Sequence, residues 1–280
     1  MISKISIVTV NKNNAAGLEK TIKSVISQKK DFCEFIVIDG KSTDHSKDLL
    51  DNYKSEISFY SSEPDTGIYN AMNKGILKST GDFILFLNSG DFLINDNVIE
   101  NLVKQISSTD DVVSGAIIIE DKFNKQHKMF SQESIEIQHF INLSLYHQAT
   151  LISRKLFEKF GLYNENFKIG GDYEFFIRVF YKYNCKYRRI SEEISYFKSD
   201  GISNDSNYSE LNKLERINAW ELNVSQRTFE IFETYNKIQN SNTFWLYRKT
   251  LKSKVYHNFF QSLFVCRSRI AKFVKSIIKS

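Results

Sequence analysis

Five short stretches of the sequence gather side chains able to do chemistry. Asn88-Ser89-Gly90-Asp91 follows the apolar run Phe83–Leu87. A carboxylate at such a strand mouth could hold Mg²⁺ or Mn²⁺, which take oxygen ligands and share them with substrate phosphates. The same residue types also build ordinary turns. Asp39 ends the run Glu34–Ile38. It could accept a hydrogen bond from a nucleobase or ribose, or belong to a helix-capping loop. Glu63–Ile76 packs polar groups, Lys74 among them, onto the start of a helix, where backbone N–H groups favour anions. A solvated helix face has the same composition. Gly170-Gly171 lets the backbone approach a ligand closely. Asp172 beside it, near a helix N-terminus, stays ionised and reads as a general base or as a capping residue. His147-Gln148 is the fifth stretch, and no second histidine stands at zinc-ligand spacing from it.

The elements that must position these groups follow from hydrophobic periodicity. Ile5–Val10 reads as a strand, and Asn11–Ala15 as a polar turn. Leu18, Ile22, Val25 and Ile26 then recur at helical spacing. Glu34–Ile38, Ile57–Tyr60 and Phe83–Leu87 read as further strands, and Ile68–Lys78 as a helix. Strands alternating with helices imply βαβ units and a parallel sheet, with ligands beyond the carboxyl ends of the strands. That brings Thr9–Asn11, Asp39–Asp44 and Asn88–Asp91 to one edge. After residue 110 the pattern changes. Val112–Ile119 and His127–Phe130 read as paired strands, Ser144–Ile152 as extended, Arg154–Lys159 as a short helix and Asp172–Tyr183 as a helix. From about residue 208 the chain reads as helical and increasingly basic.

The 280 residues suffice for one large α/β domain, or a domain with an appendage. An apolar fraction of 41% and a charged fraction of 25% exclude disorder as the main state. The net charge of +5 hides a division. Residues 234–280 carry ten Lys/Arg and no Asp/Glu, which leaves 28 basic against 33 acidic side chains in the first 233. Cys33, Cys185 and Cys266 lie too far apart for a metal site or a disulfide framework, so a reducing compartment is expected. No apolar run is long enough for a signal peptide or a membrane span. Without G-x-G-x-x-G after the first strand, a P-loop or G-x-S-x-G, the sequence is not that of a nicotinamide dehydrogenase, a P-loop kinase or an α/β-hydrolase.

Taken in order, Ile5–Asn14, Phe35–Asp44, Glu63–Ile76, Gly81–Asp91 and His147–Arg178 resemble the family 2 glycosyltransferases of GT-A fold. The stretch from Glu63 to Asp91 looks most like the branch that builds bacterial O-antigens, capsules and colanic acid. The resemblance implies an inverting enzyme with an α/β/α nucleotide-sugar-binding domain over residues 1–205. Its halves divide at residue 110, and residues 206–280 form a helical extension. Thr9, Asn11 and Asp39 would hold the uridine of a UDP-sugar. Asp65, Asn70 and Lys74 would line the nucleotide and sugar pocket, with His147 and Gln148 near the donor sugar or diphosphate. Asn88–Asp91 stands where the family has its D-x-D-type motif, which makes Asp91 the carboxylate for Mn²⁺ or Mg²⁺. Asp172 aligns with the catalytic base. The departures are Asn88 and Gly90 where relatives carry aspartates, and Gly40 where an acidic residue is common.

From Phe244 to Ile277 apolar residues recur every three or four positions among lysines and arginines, the composition of a helix on an anionic membrane face. A helix packed on the catalytic domain would share it. No nucleic-acid-reading motif accompanies it, so no nucleic-acid partner is expected. The expected acceptor is a saccharide on a lipid diphosphate, such as N-acetylglucosamine-diphospho-undecaprenol. The expected place is the cytoplasmic face of the bacterial inner membrane, as a peripheral protein, with galactose or glucose transferred. A nucleotidyltransferase, or a non-catalytic membrane or nucleic-acid-binding module, stands as the alternative.

Overall fold

The computed structural model describes residues 4–28, 31–121, 123–136, 140, 143–198 and 208–239. The basic amphipathic segment from Phe244 onward lies outside the described residues. So does 199–207, where the sequence divides the catalytic domain from the extension.

Strands β1 (Ile5–Asn11), β2 (Cys33–Asp39), β3 (Phe59–Ser62) and β4 (Phe83–Phe86) run parallel in the order β3-β2-β1-β4. β1, β2 and β4 are buried along their whole length, as continuous apolar strands covered on both faces must be. The covering helices are α1 (Ala15–Ile26), α2 (Ser46–Asn52) and α3 (Ile68–Lys78). Asn14 caps α1, its side-chain oxygen accepting from Gly17 N at 3.1 Å. β3 starts two residues later than the periodicity predicts.

The second half extends the same sheet. β5 (Phe92–Leu93) and α4 (Val98–Gln105) are followed by β6 (Val112–Glu120), β7 (Gln126–Phe130) and β8 (Thr150–Ser153). β8 lies antiparallel between β4 and β6, and β7 pairs antiparallel with β6 as expected. β9 (Tyr187–Lys198) runs parallel to β6 with a register shift, and β5 pairs with β9. Neither β5 nor β9 is anticipated from periodicity. The short helix α5 (Arg154–Phe160) follows β8. The helix expected over 172–183 is instead α6 (Gly171–Ile177) continued by a π-turn over Arg178–Lys182. There Arg178 is held by the carbonyls of Phe160 and Leu162 at 2.8 Å each.

α7 (Ser209–Asn223) and α8 (Gln226–Gln239) complete the described chain. Compact units divide after Ser225, and α7 falls in the first of them. No helix among the described residues is long and apolar enough to cross a membrane.

Candidate active site

The carboxyl ends of β1 and β2 meet in register at Asn11 and Asp39. Asp39 is fully buried, with two donors on each oxygen. Asn11 Nδ2 at 2.7 Å and the Ser42 hydroxyl at 2.5 Å reach Oδ1; Ser42 N at 2.9 Å and the Ser62 hydroxyl at 2.6 Å reach Oδ2. Burial pushes its carboxyl pKa up, but these four bonds outweigh that and hold it below the ordinary range. A carboxylate offers about four acceptor positions, so Asp39 serves first as the anchor of the 40–44 loop. Beside it, Thr9 Oγ1 and Asn11 Oδ1 are buried without a hydrogen-bond partner. Buried polar atoms are nearly always paired, so these two leave hydrogen-bonding capacity open at the strand ends.

Asp65 borders this place, its Oδ1 accepting from Gly67 N at 3.2 Å. A Cβ on Gly40 would come within 2.1 Å of Asp65 Oδ2, so Gly40 lets Asp65 lie close against the end of β2. Two expected pocket residues are engaged elsewhere. Lys74 Nζ donates to Pro64 O at 2.9 Å and pairs with Glu63 at 3.1 Å, bracing the 63–67 loop. Asn70 Nδ2 donates to Glu165 at 2.9 Å.

A second cluster sits beyond β4. Asp91 is buried, and its Oδ2 accepts from Asn88 N at 3.1 Å to close the 88–91 turn. Gly90 holds φ +108° at a half-buried corner, backbone that aspartate resists and glycine adopts freely. Thr21 of α1 ties the turn down, donating to Asp91 O at 2.6 Å and accepting from Gly90 N at 3.0 Å. Asn88 Oδ1 is a third buried oxygen without a partner. No group of three or more His, Cys, Asp or Glu among the described residues could cage a metal. Asp91 and the Asn88 amide oxygen are side-chain oxygens this turn offers. That suits a hard cation whose other ligands are phosphate and water, the usual arrangement for Mg²⁺.

A 3₁₀ turn over His147–Ala149, inside the segment expected to be extended, presents His147 to this cluster. His147 Nε2 lies 3.3 Å from Asn88 Nδ2, and Nδ1 lies 3.1 Å from Asp172 Oδ2. The Tyr69 hydroxyl lies 3.0 Å from Asp172 Oδ1 and also against the Ile169 carbonyl, so its one proton is shared between the two acceptors. His147 and Asp172 are 18% and 17% exposed, shielded yet reachable. Burial alone would lower the imidazole pKa, but the hydrogen bond and charge of Asp172, with the charge of Asp91, raise it. For Asp172 burial raises the carboxyl pKa, while the bond and charge of His147 and the Tyr69 hydroxyl bring it below the ordinary range. The pair thus favours carboxylate and imidazolium together. As placed, however, the Asn88 amide nitrogen faces Nε2, so His147 accepts there in its neutral tautomer and Asn88 Oδ1 stays unpartnered.

Gln148 is buried, and its carbonyl accepts the Ser195 hydroxyl at 2.6 Å, binding the turn to β9. Gly171 also serves packing. A Cβ at Gly171 would come within 2.8 Å of the Tyr69 ring. That ring joins an aromatic cluster with Tyr163, Phe86, Phe157 and Phe175 beneath α6. Tyr69, Ser42, Ser62 and Thr21 are site residues that the sequence reading misses. Only Tyr69 carries a signal, as the one aromatic residue in the Glu63–Ile76 stretch.

Comparison with known proteins bears on this geometry. The family model for Glycosyl transferase family 2 matches residues 6–177, which contain every site residue above. An uncharacterized glycosyltransferase of Mycobacterium tuberculosis is 31% identical over 178 residues, covering 62% of this chain and 68% of that protein. A PGL/p-HBAD biosynthesis glycosyltransferase of Mycobacterium bovis is 27% identical over 180 residues, covering 62% and 69%. These names do not single out the O-antigen, capsule and colanic acid branch. S. aureus TarS 1–349 in complex with UDP-GlcNAc matches with TM-score 0.62 at 17% identity, covering 91% of this chain and 77% of that one. The mannosyltransferase PcManGT from Pyrobaculum calidifontis, in complex with GDP-Man and Mn²⁺, matches with TM-score 0.56 at 11% identity, covering 91% and 85%. Of a longer TarS chain, this protein spans 44%. The mixed α/β sheet is the GT-A fold, and the chain belongs to glycosyl transferase family 2.

Proposed function

We propose that this protein is an inverting glycosyltransferase. It takes a hexose, galactose or glucose, from a UDP-sugar and adds it in β-linkage to a saccharide on a lipid diphosphate. N-acetylglucosamine-diphospho-undecaprenol is the favoured acceptor, in the assembly of O-antigen or another surface polysaccharide. The observation that carries this reading is Asp172, held ionised between His147 Nδ1 and the Tyr69 hydroxyl beside unpartnered polar atoms at the strand ends.

Asp172 has fewer side-chain donors than Asp39, one near each oxygen, so the carboxylate keeps acceptor capacity for a substrate proton. The acceptor hydroxyl oxygen attacks the anomeric carbon while its proton passes to Asp172. The bond from that carbon to the diphosphate breaks with its electron pair, and UDP leaves from the opposite face. One displacement inverts the centre, so an α-linked donor yields a β-glycoside. Thr9 Oγ1 and Asn11 Oδ1 receive the uridine, and Asp39 joins them by releasing a serine hydroxyl. Asp65 borders the pocket; Asn70 and Lys74 contribute once they exchange Glu165 and Pro64 for the donor. Asp91 and Asn88 Oδ1 are the groups that would hold Mn²⁺ or Mg²⁺, a charge that offsets the one growing on a departing diphosphate.

Residues 234–280, with ten basic and no acidic side chains, are assigned to the anionic inner leaflet. Deleting 240–280 is expected to abolish binding to anionic vesicles and to spare UDP binding; a truncated protein that still pellets with vesicles overturns the membrane assignment. The whole reading is tested with a panel of UDP-sugars and lipid-diphosphate acceptors, with Mn²⁺ and with chelator. Transfer with release of UDP is expected. No transfer from any nucleotide sugar overturns the reading, and free diphosphate without UDP indicates a nucleotidyltransferase.

A further inference from the structure

Asp172 is the second residue of α6, and the chain before it, 164–170, has no helix or strand of its own. Three successive backbone N–H groups of that loop converge on one side chain. Lys168 N donates to Glu215 Oε1 at 2.7 Å, Ile169 N to Oε2 at 3.0 Å and Gly170 N to Oε2 at 2.7 Å. Glu215 lies on α7, is 7% exposed, and stands outside the residues that the family model matches. The same helix grips the chain just after Asp172. Trp220 Nε1 donates to the Tyr173 hydroxyl at 2.7 Å, and Asn223 Nδ2 to Glu174 Oε1 at 2.8 Å. Asp172 is therefore bracketed on both sides by α7, while its own oxygens face Tyr69 and His147.

We infer that Glu215 is a positioning residue for the transfer reaction, holding the 168–170 loop where Asp172 meets His147 and Tyr69. The inference rests on the reading of Asp172 as the base. Its physical ground is the sensitivity of proton transfer to placement, since a displacement of about 1 Å can cost about a hundredfold in rate. The carboxylate matters as a pure acceptor. An amide in its place sets an N–H₂ donor against peptide N–H donors, so at least one of the three bonds is lost and the loop shifts.

The test uses the full-length protein and three variants. Glu215→Gln is expected to lower kcat by ten- to a hundredfold with the KM for UDP-sugar within twofold. It should also move the acidic limb of the pH–rate profile upward, because a displaced Asp172 loses the donors that keep its carboxylate ionised. Glu34→Gln, which alters another buried carboxylate remote from Asp172, is the control for lost stability, assayed below the melting point of both variants; its kcat is expected to match that of the wild type. Asp172→Asn tests the underlying reading. If it retains transfer, that reading and this inference both fall. If it is inactive while Glu215→Gln keeps kcat within twofold and an unmoved pH profile, the inference alone falls. Equal losses in the two carboxylate variants also overturn it. Should Glu215→Gln not fold, Glu215→Asp, which keeps the charge and withdraws it by one carbon, carries the same expectations.

Discussion

The two ends of the parallel strands are built from similar residues and finished differently. At the amino ends, Glu34 is buried and accepts from the Ser6 hydroxyl, from Thr80 through backbone and hydroxyl, from Gly81 N at 3.1 Å and from Lys4 Nζ at 2.9 Å. None of the side chains in that knot is left with an unpartnered buried atom among the described residues. At the carboxyl ends, Thr9 Oγ1, Asn11 Oδ1 and Asn88 Oδ1 are buried without partners. An unmet buried polar group costs about 1–3 kcal/mol, so the fold tolerates at one end a cost it avoids at the other. Unpartnered buried atoms also occur elsewhere, at Ser131, Tyr181 and Arg178 among others, so they point to the site only through their place together at the strand ends.

The largest break in this comparison comes from the base. Asp172→Asn is expected to lower kcat by about a thousandfold, within the range for general-base catalysis, with UDP binding retained by calorimetry. Next come the two groups that keep the carboxylate ionised. Burial alone would raise the Asp172 pKa, and His147 and Tyr69 reverse that. Removing either donor lets the pKa rise, so more of the base is protonated at a given pH. His147→Ala and Tyr69→Phe are each expected to lower kcat by roughly tenfold or more and to shift the acidic limb to higher pH. An unmoved limb in both would show that Asp172 is not the group being titrated.

The asymmetry was partly legible in the sequence. Continuous apolar runs ending in Asn11, Asp39 and Asn88 located the carboxyl edge, because a buried parallel strand has a hydropathy signature and its end is where polarity returns. What escaped were contacts set by the fold. Ser42 and Ser62 fill Asp39 from separate loops, and Tyr69 reaches Asp172 across 103 residues. β9 was invisible because YRRISEEISYFK is partly exposed along much of its length and carries no apolar run. α7 misled more deeply. Its buried face sets Glu215 and Asn223 beside Ala219 and Trp220, while Leu214 and Leu222 are 62% and 53% exposed, so its hydropathy follows its packing only in part.

A smaller effect separates binding from stability at the open end. Thr9→Val keeps the shape of the side chain and removes the unpartnered hydroxyl. It is expected to raise the melting temperature by a few degrees, corresponding to about 1 kcal/mol, while raising the KM for UDP-sugar about tenfold, or about 1.4 kcal/mol, with kcat little changed. A variant that loses stability without losing donor affinity would mean that Thr9 is satisfied in the free protein and idle in the complex.

At the closed end the effect on turnover should vanish and only stability should respond. Burial pushes the Glu34 carboxyl up, but the bonds from Ser6, Thr80 and Lys4 overcome it and bring the pKa from 4.5 to about 2. A carboxyl depressed by folding stabilises the native state fully above its unfolded value, and that contribution disappears as pH falls from about 4.5 to about 2. Glu34→Gln removes the titrating group and leaves donors facing an amide, so about 2 kcal/mol of stability should be lost at neutral pH. Denaturant melts of the two proteins should then converge as the pH falls through that window, because wild type loses there what the variant lacks throughout. Curves that stay parallel would show that the Glu34 knot is not what acid dissolves. A fall in kcat below the melting point would show that the two ends of the sheet are mechanically coupled, and that the closed end takes part in the chemistry of the open one.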